Sequence, residues 1–155
     1  MDYNSMVQNS KVEFGQMPPG TFLIGLLSTF ENRFQTVADS FFEEITWKQF
    51  FAIICINLCR ESPTINELSE IMESSHQNVK QLLIKLEKKG FIEMIADDRD
   101  RRKQRIVTTK KCADFCKRNE KESQIQMNQM FEDISEEQII TTIQTILQME
   151  RNLNR

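Results

Sequence analysis

Between Thr64 and Thr109 the chain carries two helix starts, a helix stop and a charged turn, an order that few folds accept. Thr64 and Glu67 have the spacing of a capping box, in which each side chain satisfies the other residue's backbone N–H. Pro63 ends any helix before it, because proline lacks the N–H and crowds the preceding turn. Ser74 and Gln77 fit a second box, with Ser75 as the alternative cap. Gly90 supplies the left-handed residue that closes a helix. Phe91 to Ala96 and Lys103 to Thr108 read as short strands around a six-residue polar tip, hence a hairpin. The segment is a helix, a turn, a second helix and a hairpin.

The second helix has two unlike faces. At about 100° per residue, Val79, Leu82, Leu83 and Leu86 gather on one side. Gln77, Gln81, Lys85 and Lys88 lie opposite, with Asn78 and Lys80 on the flanks. Glutamine and asparagine carry the paired donor and acceptor that match adenine's major-groove edge, and lysine reaches guanine or phosphate. An ordinary solvated face mixes Glu with Lys; here Glu87 is the one acid. Ile84 also points outward, as a thymine-methyl contact or as an exposed apolar residue without a role. Ser75 and His76 open the helix, where phosphates are expected. The hairpin tip sets Arg99, Arg101, Arg102 and Lys103 beside Asp97, Asp98 and Asp100. Arginine suits a narrow minor groove, where negative potential concentrates. Asp100 is expected to hold Arg102 extended by a charge-assisted hydrogen bond; the alternative is a surface ion cluster worth little. The expected DNA contacts are therefore Ser75, His76, Gln77, Asn78, Lys80, Gln81, Lys85 and Lys88 on the helix, and Arg99, Asp100, Arg101, Arg102 and Lys103 on the wing.

Charge supports this division. The chain as a whole carries −3, which taken alone argues against a polyanionic partner. Residues 75–111 hold eleven Lys and Arg against five acids, a balance of +6, leaving nine basic and eighteen acidic residues elsewhere, or −9. Phosphate contacts are local, since charges are screened beyond about 8 Å at physiological salt. A basic patch on an acidic body is thus the relevant quantity.

The flanks read as helices. From Thr21, Leu23, Leu27, Phe30, Phe34, Val37 and Phe41 alternate steps of four and three, the seam of a helix–helix contact. Thr46 caps a further helix with Trp47, Phe50, Phe51, Ile54 and Leu58 on one side, apolar enough to be a buried central helix. A long helix from about Thr109 to Phe131 has a polar middle over 117–124, and a last one follows a Ser135–Gln138 box with Ile139, Ile140, Ile143, Ile146, Leu147 and Leu153. The expected organisation is an irregular arm over 1–20, a dimerisation helix over 21–45, a winged domain with its buried leading helix over 46–109, and C-terminal dimerisation helices over 110–155. The apolar positions Leu23, Leu27, Phe30, Ile139, Ile143, Ile146 and Leu153 are expected at a homodimer interface. The fold class is mainly α with a small β-hairpin wing.

Other chemistry is sparse. No apolar run nears the roughly 20 residues that cross a bilayer, and the first residues lack a secretory pattern. With four cysteines, these features lead us to expect reduced thiols in a cytoplasm. Cys55/Cys59 and Cys112/Cys116 are paired at four-residue spacing, compatible with core packing, with a disulfide switch, or with zinc if the pairs converge. His76 is the sole histidine, and no nucleophile elbow, P-loop or dinucleotide fingerprint is present. We therefore expect no enzyme, no metal and no cofactor.

Residues 64–109, through Leu86-Glu87-x-x-Gly90, Asp100-Arg101-Arg102 and Thr108-Thr109, resemble the winged-helix core of the MarR family of bacterial transcription regulators. The flanking helices extend the likeness to about 21–153. The resemblance implies a homodimer with intertwined terminal helices, a wing arginine in the minor groove, and a repressor released from its operator by a small aromatic or phenolic effector. It implies an effector pocket where the dimerisation helices meet the winged domain, assigned from apolar placement to Phe51, Cys55 and Phe115. Two positions depart from the family pattern: Lys80, where a small hydroxyl residue is common, and Lys110-Lys111-Cys112, where a glycine is. Cysteine-based redox sensing, and an adaptor that uses a winged helix without reading DNA, are the alternatives. In the adaptor, Gln77, Asn78 and Gln81 lose their explanation.

Overall fold

The computed structural model describes residues 2, 3, 11, 13–98 and 100–153. Its elements run α1 (Pro19–Ala38), α2 (Trp47–Leu58), α3 (Ile65–Ile71), α4 (His76–Lys88), β1 (Ile92–Ala96), β2 (Gln104–Thr108), α5 (Lys110–Met130) and α6 (Glu136–Leu153). The chain divides into two compact units, one ending at Thr109 and the other beginning at Lys110. Among the described residues no helix is long and apolar enough to cross a membrane.

In the first unit α2 is central and packs on α1, α3, α4 and β2. Thr46 caps it: its hydroxyl accepts from the Gln49 N–H, and Gln49 Oε1 accepts from the Thr46 N–H. The face it buries is not the expected one. Gln49, Ala52, Ile53, Cys55 and Ile56 are buried, whereas Phe51 is 38% and Leu58 76% exposed. Small side chains at Ala52 and Cys55 let neighbouring elements approach closely. The large rings instead meet at the periphery, with Trp47 4.9 Å from Phe34 and 6.0 Å from Phe50. The remaining core is Leu68, Val79, Leu83, Leu86, Phe91, Ile92 and Ile106.

α1 begins with Pro19, whose fixed φ suits a first helical turn. It ends at Ala38 rather than near residue 45, so Phe41 lies beyond it. The Asp39 carboxylate accepts from the Trp47 N–H at 2.7 Å, and Phe42 and Ile45 turn inward to the core. The expected irregular arm is anchored where it is described: Tyr3 stacks on Phe22 at 4.1 Å, and Phe14 meets the same ring edge-on. Residues 4–10 and 12 lie outside the described residues.

In the second unit α5 buries Cys112 and Phe115. α6 opens on the expected box, Ser135 N–H to Gln138 Oε1 at 2.9 Å and Gln138 N–H to Ser135 Oγ at 3.2 Å. It buries none of its residues. Ile140, Ile143, Leu147 and Leu153 are all exposed.

Candidate nucleic-acid interface

The helix pair α3–α4 is built by its caps. Thr64 accepts the Glu67 N–H, while Glu67 Oε2 accepts the Thr64 N–H at 2.7 Å and its hydroxyl at 2.9 Å. Glu73 then takes a left-handed φ of 45°, which turns the chain between the two helices. Ser75, not Ser74, caps α4, accepting from the Asn78 N–H at 3.2 Å. Gly90, at φ 76°, closes the helix in a Schellman motif: Phe91 N–H donates to Leu86 O and Gly90 N–H to Glu87 O.

Both ends fixed, α4 buries Val79, Leu83 and Leu86 and half-buries Leu82. Ser75, His76, Gln77, Asn78, Lys80, Gln81, Lys85 and Lys88 are all exposed together on its other side. The acid on this helix is committed to the hairpin: Glu87 Oε1 accepts the Met94 N–H at 3.0 Å. Lys89, next to this face, turns away and donates to Glu44 O and Gln49 Oε1.

β1 and β2 pair antiparallel, from Ile92 opposite Thr108 to Ala96 opposite Gln104. The tip closes through Asp97 N–H to Lys103 O at 3.0 Å and Lys103 N–H to Asp100 O at 2.8 Å. Asp100 grips Arg102 as expected, with Arg102 Nε donating to Oδ1 at 3.1 Å and Nη2 to Oδ2 at 3.4 Å. Those bonds, the side-chain ones first, hold the Asp100 carboxyl below its ordinary range. The Arg102 side chain remains 91% exposed, so the fork is oriented yet open. Arg101 and Lys103 are exposed beside it; Arg99 lies outside the described residues.

A brace under the wing was not legible in the sequence. Arg105 donates through Nε to the buried Asp97 carboxylate, and through Nη1 to Ser62 O at 2.9 Å and Glu67 Oε2 at 3.2 Å. Ile106 N–H donates to Pro63 O at 2.9 Å, beside a bridge between Thr64 and Arg105. The wing is thereby fastened to the start of α3. In the sequence Arg105 is one cation among eleven, and no local spacing marks Ser62 as its partner.

The Glu67 carboxyl sits below its ordinary 4.5, first through the Thr64 hydrogen bonds and then through Arg105. A folded-state value below the unfolded one gives stability that is present at neutral pH and lost as pH falls through the folded value. Glu67→Gln keeps the capping amide but cannot titrate. Urea unfolding midpoints of the wild type are expected to fall more steeply than those of Glu67→Gln below about pH 4. Parallel curves would remove this role for Glu67.

Residues 45–103 match the MarR family. A MarR protein from Peptoclostridium difficile superposes with a TM-score of 0.78 at 16% identity, covering 94% of each chain. A MarR/EmrR family transcriptional regulator from Acinetobacter sp. ADP1 gives 0.77 at 13% identity, covering 89% of this chain and 99% of that one. The S. aureus MepR–DNA complex gives 0.72 at 21% identity, covering 83% and 94%. Residues 45–103 thus carry the MarR family's pattern, and the chain has the fold of these regulators. A comparison with curated protein sequences returns no match.

Within this fold Cys55 and Cys112 are buried, and Cys59 and Cys116 are half-buried. Burial, with Cys116 adding to it, pushes the Cys112 thiol up to about 12, and burial likewise raises Cys55. The thiolate is the reactive form. Iodoacetamide at about pH 8 is expected to leave Cys112 unmodified in the folded protein and to alkylate it after unfolding, as read by peptide mass. Native labelling at Cys112 as fast as at the half-buried Cys59 would count against this. Among the described residues no three His, Cys, Asp or Glu side chains converge as a metal site.

The first unit also holds a cleft of about 680 Å³. Its walls include Phe34 from α1, Trp47 and Phe51 from α2, and Asn78, Gln81 and Lys85 from α4. Of the three expected pocket residues only Phe51 lines it. Cys55 is buried inward from α2, and Phe115 belongs to the other unit. An i, i+4 pattern marks Phe51 and Cys55 as near neighbours but cannot tell a cleft wall from a core face.

Proposed function

We propose that the chain is a homodimeric, sequence-specific DNA-binding repressor, released from its operator by a small ligand. The observation that carries the reading is the union of an amide-and-lysine helix face with an oriented, exposed Arg102 on one braced unit. The helix face suits base edges in a major groove, and the arginine suits the adjoining minor groove. MepR, of the same fold, occurs as a DNA complex. Nothing in these residues calls for a catalytic group or a cofactor.

The cleft supports ligand control. Asn78, Gln81 and Lys85 both line it and belong to the proposed reading face. Aromatic walls at Phe34, Trp47 and Phe51 suit a flat aromatic or phenolic molecule. A ligand seated there competes with DNA for the same side chains. Occupancy then lowers operator affinity, as the proposed release by a ligand requires.

The test is selection of bound fragments from random duplex DNA, followed by footprinting. We expect a palindromic site with half-sites about 34 Å, one helical turn, apart. Arg102→Ala should weaken binding across many sequences, while Gln81→Ala should shift preference at particular base pairs. Absence of any enriched sequence would overturn the reading.

A further inference from the structure

We infer that Ile84 reads the 5-methyl group of one thymine in each operator half-site; the inference rests on the DNA-binding reading above. Ile84 is the only exposed large apolar residue of α4, at 40% exposure. It is not at the edge of the buried face. At about 100° per residue it falls within about 30° of the point opposite the centre of Val79, Leu82, Leu83 and Leu86, between Lys80 and Gln77. One turn before it stand Lys80 and Gln81, and one turn after it Lys88. Glu87, the acid that would discharge this surface, is drawn to the Met94 N–H. An apolar branch therefore sits in the middle of a face that otherwise offers amides and cations.

Charge decides what covers it. Lys80, Lys85 and Lys88 surround the position with positive charge, which favours a polyanion over an apolar protein surface. On the major-groove edges of the four bases the only apolar feature is the thymine methyl. Ile84 lies about 12 Å along the axis from the first residue of α4, within the length a recognition helix lays in the groove. The amides of Gln77 and Gln81 beside it distinguish donors from acceptors, and the isoleucine adds a reading of the methyl that they cannot make.

Deoxyuridine removes that methyl and keeps every hydrogen-bonding atom. Each thymine of the selected operator is replaced in turn by deoxyuridine, and Kd is measured for the wild type, Ile84→Ala and Ile84→Val. At one symmetric position the wild type is expected to lose about four-fold per half-site, or about fifteen-fold with both replaced. Ile84→Ala should bind the thymine operator correspondingly more weakly and be indifferent to the replacement, while Ile84→Val keeps part of the effect. Unchanged melting by circular dichroism and an unchanged oligomeric state place the loss at the DNA contact. A wild type indifferent at every thymine, sensitivity that persists in Ile84→Ala, or an Ile84→Ala protein that dissociates into monomers overturns the inference and leaves the DNA-binding reading standing. A wild type that selects no duplex at all overturns both.

Discussion

Phe91→Ala is expected to lower stability by about 3–5 kcal/mol and the melting midpoint by an amount on the order of 10 °C. Phe91 is wholly buried at the point where the recognition helix hands over to the wing. Its N–H donates to Leu86 O, and its carbonyl accepts from the Thr109 N–H, so the backbone there cannot relax into the space a truncated ring leaves. Its place one residue after Gly90 is where a Schellman motif pairs an apolar side chain with the last helical turn, and Leu86 is fully buried there. The lost transfer energy and the residual cavity therefore add. Leu58→Ala is the control: an exposed side chain should cost within about 0.5 kcal/mol. Near-equal melting of Phe91→Ala and the wild type would refute this packing.

The parts of this fold that were legible in the sequence are those written locally. The Thr64–Glu67 and Ser135–Gln138 boxes, the Gly90 stop and the Asp100–Arg102 grip join residues two or three apart, or a glycine and its own φ. What was hidden depends on distance. Which side of α2 is buried was misread because residues 50–56 are apolar all round the helix and leave no polar face there to fix the answer. Its aromatic side is closed laterally by rings such as Phe34, and its small side by the core. The Arg105 brace joins residues up to 43 positions apart. The choice of Ser75 over Ser74 turns on a single left-handed residue, Glu73, that carries no glycine to announce it. Of the candidate site, the helix face was visible as periodicity, whereas the wing's attachment and the cleft were not.

Ile143→Asp is expected to make the protein monomeric and to weaken operator binding at least a hundredfold, with little change in the winged unit. α6 presents Ile140, Ile143 and Leu147 to its surroundings and buries nothing over its whole length. On α1 the exposed set is Ile24, Leu26, Phe30 and Val37, broader than the expected seam, in which Leu23 and Leu27 are half-buried. Faces of this extent are rarely left to water in a soluble monomer. A second copy of the chain is the occupant we propose, and a carboxylate placed in that contact without a partner costs several kcal/mol. DNA binding falls with it through geometry rather than through lost contacts. Each winged unit brings one recognition helix, and joining two makes the second engagement intramolecular, which raises avidity by about 10²–10⁴. Thr141→Asp, on the same helix and already polar, controls for added charge. Light scattering coupled to a gel shift reads both quantities in one sample. An Ile143→Asp monomer that still holds the palindrome as tightly as the wild type would show that a single recognition helix and wing suffice.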